Sequence, residues 1–235
     1  MERRDFTARL LTLHPMMLGT AAGAVALLLA PAAAWPLGES EAAAGLRAAV
    51  ERGASSAVSL LGRPDGFLGD PRVRIPLPGF LKDGARMLAM VGQQRQVDDL
   101  VTAMNRAAEN AVPQARQLLV NAAKAMSVED ALHIVHGGAT SVTDYFAVKT
   151  RVPLGEKFLP IVTASTQRVQ LAEKYNAVAG KGRLLGLVKP EDANIEQYVT
   201  RKALDGLFLM IGEEEKKIRA NPMGTGSDLL RKVFG

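Results

Sequence analysis

The longest uninterrupted pattern in this chain runs from about residue 191 to 219, where Ile195, Val199, Ala203, Leu207, Met210, Ile211 and Ile218 keep helical spacing. Residues three and four apart share one face of an α-helix, whereas side chains on a strand alternate between faces. The spacing therefore predicts a long amphipathic helix. Glu213-Glu214-Glu215 ahead of Lys216-Lys217 adds charge pairs one turn apart and reads as a solvated face. Upstream, Gly and Pro punctuate Ala-rich segments that carry no strand alternation. Helices are predicted over 42–61, 80–91, 97–111, 113–126, from Ser127 to Gly137, 141–149, 153–169 with a kink at Pro160, 171–179 and 227–234. Gly180–Lys189 reads as a flexible Gly- and Lys-rich loop. The exception to helix is Pro64–Gly79, where Pro64, Pro71, Pro76 and Pro78 impose an extended path. The fold class expected is all-α, an irregular multi-helix bundle with one extended proline-rich loop strapped across it.

The first residues have a different character. Arg3 and Arg4 open a basic stretch, an uncharged run rich in Ala, Leu and Gly follows, and Pro31-Ala32-Ala33-Ala34 closes it before Trp35. A basic start, an apolar middle and a small-residue end make an export signal. Arg3-Arg4 with Phe6 gives it a twin-arginine-like form. The run is also long enough for an uncleaved membrane anchor, and under both readings the body is periplasmic or envelope-associated. The expected organisation is an export signal over 1–34, a tether over 35–41 and a single helical domain over 42–235. Removing 1–34 takes away three arginines and two acids, so the net charge of +5 falls only to +4. A mildly basic body with interspersed charges suits anionic partners without demanding them. With 48% apolar and 23% charged residues the chain is globular in composition. The absence of cysteine excludes disulfides, a cysteine nucleophile and thiolate metal ligands.

Several runs carry a family resemblance. They are Asp65-Gly66-Phe67-Leu68, Arg74-Ile75-Pro76-Leu77-Pro78, Met104-Asn105-Arg106-Ala107-Ala108-Glu109, Thr143-Asp144-Tyr145-Phe146, Lys157-Phe158-Leu159-Pro160 and Tyr175-Asn176. The run from Tyr198 to Phe208 and the ending Leu229-Leu230-Arg231-Lys232-Val233-Phe234-Gly235 belong with them. Together these runs resemble the bacterial family called domain of unknown function 4197, across nearly all of 42–235. The resemblance implies an exported, all-helical protein, commonly behind a signal or lipoprotein leader. It implies no activity, and the chain lacks the cysteine that lipoprotein members acylate.

The residues themselves offer three candidate sites. Asn105 and Glu109 lie one helical turn apart with Arg106 beside them, which suits either a buried network fixing helix register or, with Asp144, Tyr145, Tyr175 and Asn176, a ligand pocket. In the strap, Phe67 and Leu77 alternate with Arg72 and Arg74, a mix that fits a partner or peripheral membrane contact, or a loop that packs on the bundle. Glu129, His133 and His136 share a helical face as a zinc site's ligands would. A histidine closing a helix before Gly137-Gly138 explains the same residues without metal, so no metal and no cofactor are expected. There is no Gly-x-Ser-x-Gly elbow and no Ser-x-x-Lys, Gly180–Gly186 is one residue too long for a dinucleotide fingerprint, and one Trp with three Tyr is thin for nucleic-acid stacking. The function expected is non-enzymatic binding of an apolar or amphipathic, lipid-like ligand or an envelope protein. An enzyme built on Asn105/Arg106/Glu109 and a structural scaffold are the alternatives.

Overall fold

The computed structural model describes residues 39–225 and 231, apart from 136, 168, 169, 185 and 187. The leader over 1–34, His136 and all of the helix expected at 227–234 except Arg231 lie outside the described residues. Eight helices are described: α1 (Glu39–Leu61), α2 (Lys82–Met90), α3 (Gln94–Ala111), α4 (Ala115–Lys124), α5 (Val128–Val135), α6 (Ser141–Thr166), α7 (Gln170–Leu184) and α8 (Ile195–Ala220). No strand occurs among the described residues, so the fold is all-α. None of these helices is long and apolar enough to cross a membrane.

The predicted stripe organises the bundle. All seven of its residues, from Ile195 to Ile218, are buried, and so are Tyr198, Leu204 and Phe208 beside them. Stripe burial on more than one side means that α8 is covered by several neighbours, and α6, α1 and α3 all pack on it. α6 runs antiparallel to α8, since Val142 bonds to Glu215 at one end and Thr166 to Glu196 at the other. α1 also holds α4 and α5, and α3 holds α6 and α2. Ser127 and Asp130 cap α5 reciprocally, the Asp130 N–H donating to the Ser127 hydroxyl at 3.0 Å and the Ser127 N–H to the Asp130 carboxylate at 3.1 Å.

Helix boundaries depart from local expectation where tertiary contacts outweigh propensity. α1 begins at Glu39, inside the segment read as tether. Residues 141–149 and 153–169, read as two helices, form the single α6 with Pro153 and Pro160 inside it. Each proline deprives the carbonyl four residues back of a donor, and those carbonyls belong to the exposed residues Lys149 and Glu156, at the solvent-facing side of the helix. α7 continues through Gly180 and Gly182 to Leu184 because Ala172, Tyr175 and Ala179 bury one face of it. The reversal comes at Gly186, whose φ of 72° is the left-handed conformation that ends helices.

Residues 62–78 form the strap. Its apolar side chains turn inward: Phe67, Val73 and Ile75 are buried in the same core as α8. Close approach is possible because α8 carries Gly206 there. A Cβ at that position would lie 2.7 Å from the Phe67 ring and 3.3 Å from Val73. Gly206→Ala should therefore cost about 1–3 kcal/mol in urea denaturation, through overpacking. Gly155→Ala on α6, whose Cβ would meet Leu204 at an ordinary 3.9 Å, should instead stabilise by up to about 1 kcal/mol through helix propensity.

Candidate functional site

A segment without regular structure must find partners for its backbone, and where the strap's own turns do not provide them α3 does. Asn105 is fully buried and acts as a backbone mimic toward the strap. Its Oδ1 accepts from the Ile75 N–H at 2.8 Å and its Nδ2 donates to the Ile75 carbonyl at 3.0 Å and to the Val101 carbonyl at 2.7 Å. One turn on, Glu109 Oε1 accepts from the N–H groups of Phe67 and Leu68 at 3.0 and 3.2 Å, while Oε2 takes Arg106 Nη1 at 2.6 Å. Arg106 also reaches Asp65 at 2.8 Å, a non-glycine residue at a φ of 62°. Tyr198 of α8 closes the other side, its hydroxyl donating to the Pro76 carbonyl at 2.9 Å. Asn105, Arg106 and Glu109 thus form one network, engaged with the chain's own strap.

The other residues expected in that pocket lie elsewhere. Tyr175 and Asn176 serve the entry to α8. The Tyr175 hydroxyl donates to the Asp192 carbonyl at 2.7 Å, and Asn176 Oδ1 accepts from the Ile195 N–H at 2.9 Å. Asp144 and Tyr145 line a third place, an open groove of about 830 Å³ between α5 and α6 that also contains Glu129, Asp130, His133, Ile134 and Val148. The Tyr145 hydroxyl donates to Asp130 at 3.3 Å, and Lys149 lies over the Tyr145 ring. Burial and the neighbouring Asp130 carboxylate raise the Tyr145 phenol. The Ser127 hydroxyl and N–H hold the Asp130 carboxyl below the usual range. Glu129 and His133 are both exposed on α5, and among the described residues no group of three metal-ligating side chains converges. An apolar crevice between α1, α6 and α8 offers only about 10 Å³, no more than one water.

The strap residues expected at a partner or membrane are divided by the fold. Phe67 is fully buried and presents no surface, which corrects that expectation, and Leu77 is half-buried against the core. The sequence alternation that suggested an amphipathic contact is satisfied internally. Arg72 and Arg74 remain exposed, with Arg72 paired to Asp70 at 2.6 Å.

One structural centre went unnoticed in the sequence. Glu215 of α8 caps the start of α6, accepting from the N–H groups of Val142 and Thr143 at 3.1 and 2.9 Å and from the Thr143 hydroxyl at 2.8 Å. Arg219 pairs with it at 3.0 Å and bonds onward to Ser141 and to the Ile134 carbonyl. The acidic run that read as a solvated face is therefore split. Glu213 and Glu214 pair with Lys216 and Lys217, while Glu215 turns inward. Its position was a signal, four residues after Ile211 and three before Ile218, on the buried stripe.

The sequence matches the family described as Protein of unknown function (DUF4197) over residues 36–235, most of the chain, and the chain belongs to that family. No curated protein matches the chain, and no solved structure does.

Two measurements probe these anchors. Glu109→Gln leaves Arg106 half-matched and weakens two backbone contacts, so it should cost about 3 kcal/mol in urea denaturation and expose the strap to protease. Burial, with the Asp192 carboxylate, pushes the Tyr198 phenol up to about 12 from 10.0. A phenol raised on folding favours the folded state fully below its unfolded pKa and loses that contribution as pH climbs through the folded one. Stability should hold to pH 10 and fall between pH 10 and about 12, and Tyr198→Phe should lessen that decline, leaving the share of Tyr175, whose phenol burial also raises, while costing about 1 kcal/mol at neutral pH.

Proposed function

We propose that this family member is exported and acts without chemistry of its own, holding an amphipathic partner segment of the cell envelope in the α5/α6 groove. The groove carries this reading. Its apolar lining is Ile134, the Tyr145 ring and Val148, and Glu129, Asp130 and Asp144 rim it with carboxylates. The apolar surface runs on along α6, where Val148 is 82% and Val152 71% exposed, one turn apart. Exposed apolar side chains beside a carboxylate rim suit an occupant with an apolar face and basic flanks. Export is supported by Arg3-Arg4, the apolar run and the small-residue end of the leader. A binding role also fits the chemistry of the α3 network, because Asn105, Arg106 and Glu109 direct their hydrogen bonds to the strap.

The occupant is tested with a Lys/Leu amphipathic helical peptide followed by fluorescence anisotropy. Replacing both Val148 and Val152 by Asn should weaken binding about tenfold while leaving stability within about 0.5 kcal/mol, as befits surface positions. Equal affinity of the double variant and the parent would remove the groove from consideration. Export is tested separately: Arg3→Lys with Arg4→Lys should retain the full-length chain in the cytoplasmic fraction, and an unchanged distribution would count against the twin-arginine route.

A further inference from the structure

Among the described residues three carboxylates are buried, Glu109, Glu196 and Glu215. Two have the same environment. Glu109 accepts from two backbone N–H groups and Arg106, and Glu215 from two backbone N–H groups and Arg219. Such matching is what makes a buried charge tolerable. Glu196 is different. It is 7% exposed and, among the described residues, in no ion pair, and it accepts from the Asn176 amide, at 3.1 and 3.4 Å, and from the Thr166 hydroxyl at 3.4 Å. The Thr166 hydroxyl has a single proton, and the Val162 carbonyl lies closer to it, at 3.0 Å. Glu196 is left with one firm donor for a group that can accept four hydrogen bonds.

The start of α8 supplies part of the compensation, since a carboxylate is favoured near a helix N-terminus. Yet the Ile195 and Gln197 N–H groups there already donate to Asn176 and Asn194. What Glu196 faces instead is an open groove of about 330 Å³ between α6, α7 and α8, whose wall is made of Thr163, Gln167, Asn176, Asn194 and Gln197 with Leu159 at one side. Carboxamides and a hydroxyl around a carboxylate offer many neutral hydrogen bonds and one site of negative charge. The volume is that of a small molecule.

We propose that this groove binds a small primary amine, whose ammonium pairs with Glu196 as Arg106 pairs with Glu109 and Arg219 with Glu215, and whose remaining polar atoms meet Thr163, Asn194 and Gln197. A primary ammonium has three donors on a compact charge, which suits a single carboxylate among neutral carboxamides and a hydroxyl better than a planar guanidinium fork. The site is separate from the α5/α6 groove and stands or falls independently of it.

The test is isothermal titration of the full chain with putrescine and with L-lysine amide, and with 1,4-butanediol as the uncharged counterpart of putrescine. Both amines should bind saturably and the diol should not. Glu196→Gln should weaken putrescine at least about tenfold, while Asp144→Asn, on the rim of the other groove, should leave it unchanged. Should Glu196→Gln fail to fold, Gln197→Ala serves, because Gln197 is exposed and lines the groove; it should lower affinity several-fold with no change in melting. The proposal is overturned if neither amine saturates by about 10 mM, if the diol binds as well as putrescine, or if Asp144→Asn abolishes binding and the groove variant does not.

Discussion

An unpaired backbone amide inside a protein costs as much as a lost hydrogen bond, and the strap brings a run of them into a helical core. Turns within the strap serve Gly66, Gly69, Asp70, Val73 and Arg74, whose N–H groups donate to strap carbonyls, while Phe67, Leu68 and Ile75 turn to side-chain acceptors. Asn105 and Glu109 meet the need with side chains, one copying a peptide group, the other using a carboxylate as a double acceptor. Their burial is affordable only because Arg106 balances Glu109 and because Asn105 has its carbonyl oxygen and both sides of its amide engaged. With the strap fixed in this way, Phe67 and Val73 reach the gap above Gly206, and α8 acquires a cover that no helix provides. The architecture is in this sense a helical bundle with one non-helical wall.

The same device recurs at the far end of α8. Glu215 offers its two oxygens to the first N–H groups of α6, where the helix dipole also favours negative charge. α6 and α8 are therefore fixed in register by charge at one end as well as by packing along their length. The Arg151–Asp205 pair at 2.8 Å spans the same two helices nearer the surface and, being about 40% exposed on both sides, adds little to that constraint.

Much of this was legible in the residues, and the parts that were not share a cause. Periodicity revealed α8, since its stripe is long enough to exceed any local preference, although the helix starts at Ile195, about four residues later than expected, after a separate 3-10 turn at Pro190–Asp192. The grouping of Asn105, Arg106 and Glu109 followed from one helical turn of spacing. What spacing cannot convey is direction across the fold: Asp144, Tyr145, Tyr175 and Asn176 are polar residues on helix faces like the first three, yet they serve two other places. Phe67 and Leu77 read either as a contact surface or as a loop packed on the bundle, because a strap and a membrane-contacting loop share the same alternation. α7 outran its glycines because Tyr175 and Ala179 hold it to the bundle, a contact invisible from within the segment. Glu215 could have been separated from Glu213 and Glu214 by following the stripe through the acidic run.

The strap is joined to α3 across 30 to 42 residues of sequence, and to α8 across 122. Closing the second of these loops brings together parts of the chain that are synthesised far apart, so the cover over α8 can seat only after most of the bundle exists. Its release is correspondingly a cooperative event, because the anchors, the aromatic ring and the Tyr198 hydroxyl let go as a set. The amide protons of Phe67, Leu68 and Ile75 are thereby placed, although they belong to an irregular segment, among those that exchange with solvent only when the helical core itself opens.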